Sequence, residues 1–404
     1  MGTVLYQMGD LAKYKGKKAV LLYSGGVDSM YAALSLVQSG IDVHALRIDI
    51  GQSPSADLKS NVEKIGVKLV EIDAKNELCD SYIRIGIAAN GLYNHHYPIS
   101  SSYTRPLIAS KAVHYAQNIG SQLIAHSATP VQNSASRFNM SILALAPEID
   151  IYCSAILEYA DRDNKISYLK SRGLTLVNDH ELFSVDENLW ARVVESGTLE
   201  QHWLNMSVRD VFTWTKIDKS AKPISVNLRF EEGIAVELDG QALPLVDIIL
   251  RLNEKLSKYG IGRYSGFEDN AFGVKNREVR EAPAAVLLHS AHRLFEEMIL
   301  SGDELRVKHF LDVEWVNLVV GGGWFSSLKG PLDAAILAFN KDINGTATWE
   351  VDHGSLICKS IKADASLASA QYPRFSEEIK GFTIESFYKH LARKMRIGTK
   401  RPVH

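Results

Sequence analysis

The sequence is poor in cysteine. Its 404 residues include three cysteines, Cys79, Cys153 and Cys358, which lie far apart and form no CxxC pair. Disulfide-stapled domains and structural zinc sites require paired or closely spaced cysteines, so neither is expected here. We predict that all three are small, buried side chains of a protein that works in a reducing compartment.

Long apolar runs are also missing, as is any excess of charge of one sign. No segment approaches the roughly 20 apolar residues that a transmembrane helix needs. The first 18 residues mix charged and apolar side chains, which is not typical of a signal peptide. The formal net charge is −2, so no general attraction to nucleic acid or to an anionic membrane is expected. We therefore expect a cytoplasmic protein that acts on small molecules, with no nucleic-acid partner and no membrane partner.

Length and composition are those of a globular protein with two or three domains. Hydrophobic residues make up 46% of the chain and charged residues 23%, and one core rarely extends over this length. From residue 18 to about 152, short apolar runs alternate with segments of helical periodicity. This pattern predicts an α/β domain whose parallel sheet carries helices on both faces. An α+β domain is predicted after about residue 173, followed by a C-terminal oligomerisation helix.

The predicted domains are a nucleotide-binding unit at 1–172, a substrate-binding unit at 173–372, and a C-terminal helix and tail at 373–404. Strands are predicted at 19–23, 42–48, 68–72, 122–125, 224–230, 234–238, 346–351 and 355–360. Helices are predicted at 29–39, 56–65, 105–119, 245–259, 284–300, 304–320, 331–339 and 384–395.

The most informative motif, Ser24-Gly25-Gly26-Val27-Asp28-Ser29, lies between the first buried strand and the first helix. Two glycines allow successive backbone N–H groups to point into one concavity, and the helix N-terminus adds partial positive charge there. The loop therefore suits a pyrophosphate group, with Ser24 and Ser29 as hydroxyl donors. Asp28 either holds Mg²⁺ or shapes the turn. The alternative is an ordinary glycine turn in which Asp28 or Ser29 caps the helix.

This motif is not a Walker loop, because no Gly-Lys-Ser/Thr follows it. It resembles the pyrophosphate loop (PP-loop) of ATP pyrophosphatases, which form adenylates and release pyrophosphate. Within that superfamily the chain resembles argininosuccinate synthase over most of its length, most strongly from residue 18 to about 147. The matching segments occur in the family's order: Ile50-Gly51-Gln52, Leu92-Tyr93, Tyr97, Ser101-Ser102, Arg105-Pro106, His126, Ala128-Thr129, Asn133, Arg137-Phe138, Leu145-Ala146-Pro147, Ser184–Leu189, Gly260–Arg263, Glu268, Gly273, Lys275, Arg277 and Pro283.

The resemblance implies a ligase that adenylates the ureido oxygen of a citrulline-like substrate with ATP, releases pyrophosphate, and lets an amine such as aspartate displace AMP. It also implies Mg²⁺ with the ATP and a homotetramer assembled through the C-terminal helix. Catalytic roles are implied for Asp28, Ser29 and Arg137. The implied ATP contacts are Tyr23, Ser24, Gly25, Gly26, Val27, Asp28, Ser29, Ile48, Ser127 and Thr129. The implied substrate contacts are Tyr97, Ser102, Thr129, Asn133, Ser134, Arg137, Ser184, Val193, Glu268 and Arg280. His126 is by position either a general base or a buried, hydrogen-bonded imidazole.

The chain departs from the family where substrates are expected to bind. The family's Gly-Lys-Gly-Asn-Asp reads Pro-Val-Gln-Asn-Ser at 130–134, so Ser134 replaces an aspartate that would face the amine. Val193 replaces a serine and Arg280 a tyrosine near the backbone end of citrulline. Two like charges 4 Å apart repel by about 4 kcal/mol at an effective dielectric near 20, so Arg280 would repel an α-ammonium unless Glu268 pairs with it. The alternative is that Arg280 points to solvent.

These departures suggest a member of the family with a changed acceptor and donor, serving a specialised pathway. A standard argininosuccinate synthase and a non-catalytic ATP-binding protein of the PP-loop type are the alternatives. A tRNA-modifying PP-loop enzyme is disfavoured, because such enzymes need a basic surface and usually a reactive cysteine.

Overall fold

The computed structural model describes residues 2–53, 57–129, 132–153, 162–175, 183–201, 203, 211–270, 272–368, 388, 389 and 392. Pro130 and Val131, where the chain departs from the family's loop, lie outside the described residues. The same holds for the predicted C-terminal helix at 384–395, apart from three positions, and for the tail after it.

A six-stranded sheet forms the centre of the N-terminal domain, and all its neighbouring strands are parallel. Across the sheet the strands are β1 (Val4–Leu5), β8 (Asp150–Cys153), β7 (Leu123–His126), β2 (Lys18–Leu22), β3 (Asp42–Asp49) and β4 (Lys68–Asp73). The predicted parallel α/β sheet is confirmed. The edge strand β1 and its neighbour β8 were not predicted, because each carries only a few apolar residues.

Side chains of the central strand β2 enter two different hydrophobic cores. Leu21 packs with the residues of the first two helices, whereas Val20 lies in the larger core together with Leu107 of the long fifth helix. This alternation follows from the two-residue period of a strand. It places helices on both faces of the sheet, as predicted.

The helices of this domain are α1 (Val27–Gln38), α2 (Leu58–Ile65), α3 (Lys75–Glu77), α4 (Arg84–Ala88), α5 (Ser101–Ile119), α6 (Asn133–Leu145) and α7 (Arg162–Ser171), with a π-helical turn at Leu78–Ile83 between α3 and α4. A short hairpin, β5 (Leu92–Tyr93) and β6 (Tyr97–Pro98), precedes α5. Helix α6 was not predicted, because its first turns are rich in serine and asparagine, which compete with the helical backbone for hydrogen bonds. Helix α5 begins four residues before its predicted start at Arg105, so Pro106 lies in its second turn and not in its first.

The second domain contains a five-stranded antiparallel sheet and four helices. Across the sheet the strands are β13 (Gln241–Ala242), β12 (Ile234–Leu238), β11 (Ile224–Glu231), β16 (Gly345–Asp352) and β17 (Ser355–Ala363). The helices are α8 (Leu245–Ser257), α9 (Pro283–Ile299), α10 (Gly302–Val320) and α11 (Lys329–Asn340). The predicted hairpins and helices are present, with ends displaced by up to three residues.

A four-stranded antiparallel sheet was not predicted at all. Its strands are β14 (Arg263–Asp269), β15 (Lys275–Glu281), β10 (Arg192–Glu195) and β9 (Ser184–Glu187). These segments are rich in charged residues and lack the apolar alternation of a half-buried strand, so their periodicity does not reveal them.

This four-stranded sheet contacts the parallel sheet next to its carboxyl edge. Leu189, which follows β9, donates its backbone N–H to the carbonyl of Ile50 at 2.9 Å. The next residue, Gly51, has a φ of +85°, and a Cβ there would lie 2.7 Å from the Cβ of Leu189. The two segments therefore approach so closely that only glycine fits.

Two other predictions concern burial and membranes. Cys79 and Cys153 are buried as predicted, but Cys358 on β17 is partly exposed, so the prediction is wrong for that residue. It lies on β17, the edge strand of the five-stranded sheet as far as the described residues show. Among the described residues, no helix combines the length and the apolar character needed to cross a bilayer.

Candidate active site

The PP-loop motif lies between the end of β2 and the start of α1. Gly25 has a φ of +81°, and a Cβ there would come within 2.9 Å of the Leu58 side chain. The Ser24 and Ser29 hydroxyls lie 3.1 Å apart, and Ser29 Oγ donates to the carbonyl of Gly26 at 2.9 Å. The backbone N–H of Gly26 in turn donates to Ser24 Oγ at 3.3 Å. The two serines thus brace a turn whose backbone conformation requires glycine.

Asp28, in the first turn of α1, forms an ion pair that the sequence did not predict. Its Oδ1 accepts a hydrogen bond from Nζ of Lys165 on α7 at 2.8 Å. Lys165 is 137 residues away in sequence, on a helix of ordinary polar composition, so no local pattern reveals it. One oxygen of the Asp28 carboxylate is therefore already engaged by a lysine inside the protein. No group of three or more histidine, cysteine or acidic side chains in the described ranges is arranged to hold a metal ion.

A cleft of about 440 Å³ runs along the carboxyl ends of the parallel strands, where ligands bind in open α/β sheets. Tyr23 and Ser24 begin it, Ile48 and Ser127 line it, and β9 forms its other wall. Ser184 of β9 lines this cleft, and not the pocket that contains Glu268 and Arg280. Several residues predicted to contact ATP therefore lie together along this cleft. Ser184, which was predicted to contact the other substrate, lies with them.

His126 lines the same cleft but is fully buried. Burial lowers the pKa of its imidazole to about 4, despite the opposing hydrogen bond between its Nε2 and Asn139 Oδ1 at 2.8 Å. The ring is therefore neutral near pH 7 and a weak base. This favours the second interpretation of His126, a buried and hydrogen-bonded imidazole.

Next to the cleft, two arginines and two glutamates alternate in a buried, hydrogen-bonded chain, which we call the arginine–glutamate ladder: Arg137, Glu268, Arg280 and Glu278. Arg137 Nη2 donates to Glu268 Oε1 at 2.8 Å, and Arg280 Nη2 donates to Glu268 Oε2 at 2.7 Å. Arg280 Nε also donates to Glu278 Oε2 at 2.9 Å. Arg280 is only 3% exposed, so the alternative that it points to solvent is wrong.

The two carboxyl groups of the ladder differ in their ionisation. Burial opposes the charge of Glu268, but the positive charges of Arg137 and Arg280 outweigh it and lower its pKa to about 2. For Glu278, burial raises the pKa more than the positive charge of Arg280 lowers it. The negative charge of Glu268 raises it further, so that the pKa of Glu278 is about 8. Near neutral pH the ladder then holds two arginines and one ionised glutamate.

Tyr97 lies against Arg280 on one side of the ladder. The Arg280 guanidinium lies 4.2 Å from the centre of the Tyr97 ring, within the range of a cation–π contact. Within the described part of the chain, the Tyr97 hydroxyl is buried and has no hydrogen-bond partner. Ser102 lines the same small cavity as Tyr97, Glu268 and Arg280. A buried hydroxyl without a partner is costly, but the space beside it is too small for a water molecule.

The first turn of α6 carries the other predicted substrate contacts. Asn133 Nδ2 donates to Glu268 Oε1 at 3.2 Å and to the carbonyl of Asp269 at 2.8 Å. Ser134 Oγ accepts a hydrogen bond from Arg105 Nε at 3.1 Å. The Arg105 guanidinium also donates two hydrogen bonds, 3.1 and 2.9 Å long, to the carboxylate of Asp186. A guanidinium thus contacts the position where the family has an aspartate.

Thr129, the last described residue before Pro130, donates its backbone N–H to Gln132 Oε1 at 3.3 Å. The site also contains residues that were not predicted as contacts: Lys165, Glu278, Glu195 and Asp186. Glu195 and Glu278 lie on β10 and β15, and no sequence motif distinguishes them from solvated charges. Asp186 is part of the segment Ser184–Leu189, whose resemblance to the family was a usable signal.

Comparison with known proteins matches two family models to this chain. Residues 18–175 match the arginosuccinate synthase N-terminal HUP domain, and residues 183–395 match the arginosuccinate synthase C-terminal domain. The argininosuccinate synthase of Pyrococcus furiosus is 38% identical over 368 residues, which cover 89% of each chain. That of Pyrobaculum aerophilum is 35% identical and covers 92% of this chain and 97% of the relative. That of Rubrobacter xylanophilus is 35% identical, with 93% and 91% covered.

Solved structures with a similar fold are more distant. An NMN synthetase from Francisella tularensis shares 16% identity, covers 42% of this chain and 70% of its own, and superposes with a TM-score of 0.29. An NH₃-dependent NAD synthetase from Campylobacter jejuni gives 13% identity and a TM-score of 0.27, covering 41% of this chain and 69% of its own.

Proposed function

This chain belongs to the argininosuccinate synthase family of AMP-forming carbon–nitrogen ligases, and on that premise we propose that its acceptor is a ureido or carbonyl compound that lacks the α-ammonium group of citrulline. The donor is an amine, either aspartate or another amino compound. ATP enters as its Mg²⁺ complex, and pyrophosphate and AMP leave.

The observation that supports this proposal is the position of Arg280 in the arginine–glutamate ladder. Glu268 is one of the residues that the family resemblance assigns to binding of the citrulline-like substrate. Here both of its oxygens already accept hydrogen bonds from guanidinium groups, one from Arg137 and one from Arg280. An incoming ammonium group would have to displace one of them, or stand beside a second positive charge in a buried site.

The charge balance of the pocket indicates what binds instead. Three guanidinium groups and four carboxyl groups line this pocket: Arg105, Arg137, Arg280, Asp186, Glu195, Glu268 and Glu278. Burial raises the pKa of Glu195 and of Glu278, which favours their neutral forms and leaves the guanidinium groups in excess. A carboxylate on the acceptor would restore neutrality and is a good partner for a guanidinium.

The position predicted to face the amine donor has also lost a group that would attract an ammonium. A carboxylate that faced the ammonium of aspartate would contribute about 1.5–3 kcal/mol as a charged hydrogen bond. Ser134 cannot supply that charge, and its hydroxyl oxygen already accepts from Arg105. We therefore propose an amine whose recognition does not depend on a carboxylate at position 134.

In the proposed reaction the acceptor's carbonyl oxygen attacks the α-phosphorus of ATP, and the bond to the β-phosphate breaks. The leaving pyrophosphate is held by backbone N–H groups of the loop Ser24–Ser29 and by the N-terminus of α1. The amine then attacks the activated carbon, and AMP leaves with the former carbonyl oxygen. Arg137 and Glu268 line the pocket that binds the acceptor. Asp28 and Ser29 stabilise the conformation of the loop.

A standard argininosuccinate synthase is the second candidate. It is favoured by the retained Tyr97, Asn133, Arg137 and Glu268, and by identities up to 38% with argininosuccinate synthases. A non-catalytic ATP-binding protein is disfavoured, because the chain is 38% identical over 368 residues to an argininosuccinate synthase.

The test is pyrophosphate release by the purified protein. ATP with citrulline and aspartate should give little turnover, whereas a panel of carboxylate-bearing ureido compounds without an α-ammonium should contain an active acceptor. Efficient turnover with citrulline and aspartate would instead establish the second candidate. Light scattering should give about four times the chain mass of 44.8 kDa, since we propose the tetramer of the family.

A further inference from the structure

The nucleotide cleft is short of positive charge. Among its described lining residues, the acidic side chains are Asp186, Glu187 and Glu195, and the cationic one is Arg105. Arg105 is held by two hydrogen bonds to Asp186, so its charge is already compensated inside the protein. A triphosphate carries several negative charges near neutral pH. Such a ligand needs a cation that this lining does not supply.

The family's loop carries a lysine between two glycines where this chain has Pro130, Val131 and Gln132. That loop contributes neither a positive charge nor a glycine backbone here. Any positive charge that the protein adds to the Mg²⁺ of the nucleotide must therefore come from another element.

Lys165 is the cation in contact with the PP-loop. Its side chain is 12% exposed, and its Nζ lies 2.8 Å from Asp28 Oδ1. Its ammonium also lies 5.6 Å from the centre of the Tyr31 ring, on the helix that the loop opens. Helix α7, which carries it, packs against α1. The side chain is thus held at the loop by one carboxylate and one aromatic ring.

We propose that Lys165 binds the β- and γ-phosphates of ATP and then the released pyrophosphate. A lysine ammonium has three N–H donors, of which one is directed at Asp28. The other two suit phosphate oxygens, and Asp28 acts by holding the ammonium beside the loop. This inference rests on the proposed function, since it requires the nucleotide's phosphate tail in the PP-loop.

Binding of nucleotides without turnover tests the proposal. Isothermal titration of the full chain is carried out with an α,β-methylene analogue of ATP, in which the bond that breaks in the reaction is replaced, with pyrophosphate and with AMP, which lacks the outer phosphates. Lys165→Met should lower the affinity for the analogue and for pyrophosphate by about 10- to 100-fold, which is the range for loss of a charged hydrogen bond. Its affinity for AMP should stay within about twofold, because the α-phosphate is not the group that the ammonium binds. Lys165→Arg should recover most of the loss.

Two further variants make the result specific. Lys170→Met removes an exposed lysine from the same helix and should leave all three affinities unchanged. Asp28→Asn should weaken the analogue, and the double variant with Lys165→Met should be no weaker than Lys165→Met alone. Circular dichroism establishes that each variant is folded.

The outcomes separate this inference from the proposed function. If the wild-type protein binds none of the three ligands, the proposed function fails. If the wild-type protein binds them and Lys165→Met binds the analogue equally well, only the role of Lys165 is refuted. Equal loss of AMP and analogue affinity would also refute it, since it would show a general disturbance of the cleft.

Discussion

Val193 and Arg280 are directly opposite each other on the antiparallel strands β10 and β15. Both positions differ from the family, and in the sequence they are two unrelated changes 87 residues apart. In the sheet their side chains leave the same face, at the spacing of a cross-strand pair. A serine–tyrosine pair of the family has thus become a valine–arginine pair, and the two substitutions form one structural change.

Reversing both substitutions should restore the use of citrulline. We expect the double variant Val193→Ser/Arg280→Tyr to release pyrophosphate with citrulline at least about tenfold faster than the wild-type protein, because Glu268 regains an oxygen for an ammonium group. The measurement is kcat/KM for citrulline at saturating ATP. Val307→Ser, at an exposed position of α10 away from the cleft, is the matched control and should change nothing. A wild-type protein as active with citrulline as the double variant would contradict the altered-acceptor proposal.

Removing the arginine alone should destabilise the fold. Arg280→Met deprives the ionised Glu268 of one of its two ion-pair partners, and breaking a buried pair costs about 3–5 kcal/mol. The readout is the midpoint of urea unfolding. Arg229→Met provides the comparison, because Arg229 pairs with Glu231 at the surface and such pairs contribute about 0–1 kcal/mol. Similar midpoints for the two variants would show that the ladder is not a buried structural unit.

The raised pKa of Glu278 predicts a pH dependence of stability. A carboxyl group with a pKa of about 8 in the folded protein and about 4.5 when unfolded binds more protons in the folded state between these values. The contribution of this group to the stability of the fold is fully present below pH 4.5 and is lost as the pH rises through 8. The free energy of unfolding of the wild-type protein should therefore fall between pH 6 and pH 9 more steeply than that of Glu278→Gln. Parallel pH profiles for the two proteins would show that Glu278 is ionised throughout.

The left-handed backbone of Gly25 makes it sensitive to any side chain. Gly25→Ala introduces a Cβ at a φ of +81° and 2.9 Å from the Leu58 side chain, which is strained by about 1–3 kcal/mol. We expect kcat/KM for ATP to fall at least about tenfold, because the strain distorts the loop that binds pyrophosphate. Gly330→Ala is the control, since a Cβ there meets no atom within 4 Å. An unaffected Gly25→Ala enzyme would argue that nucleotide binds elsewhere.

Much of the fold could be predicted from local patterns. The buried runs of β2 and β3 and the amphipathic helices α8 and α9 carry their periodicity in consecutive residues, so each was found to within a few positions. Helix α6 and the four-stranded sheet were missed for the opposite reason. Their residues are polar because they face a ligand site or each other, and a polar pattern resembles a loop. The strands that carry Glu268 and Arg280 are among those that were missed.

By itself, the sequence determined the class of chemistry. The motif at Ser24–Ser29 requires a strand before it and a helix after it, and both are local properties of the chain. Only the tertiary structure decided which charges meet. The pairs Asp28–Lys165 and Glu268–Arg137 join residues more than 100 positions apart. What Arg280 does to the pocket depends on the two glutamates beside it. An ion pair is a matter of a few ångströms in space, and the order of residues along a chain does not specify that distance until the chain has folded.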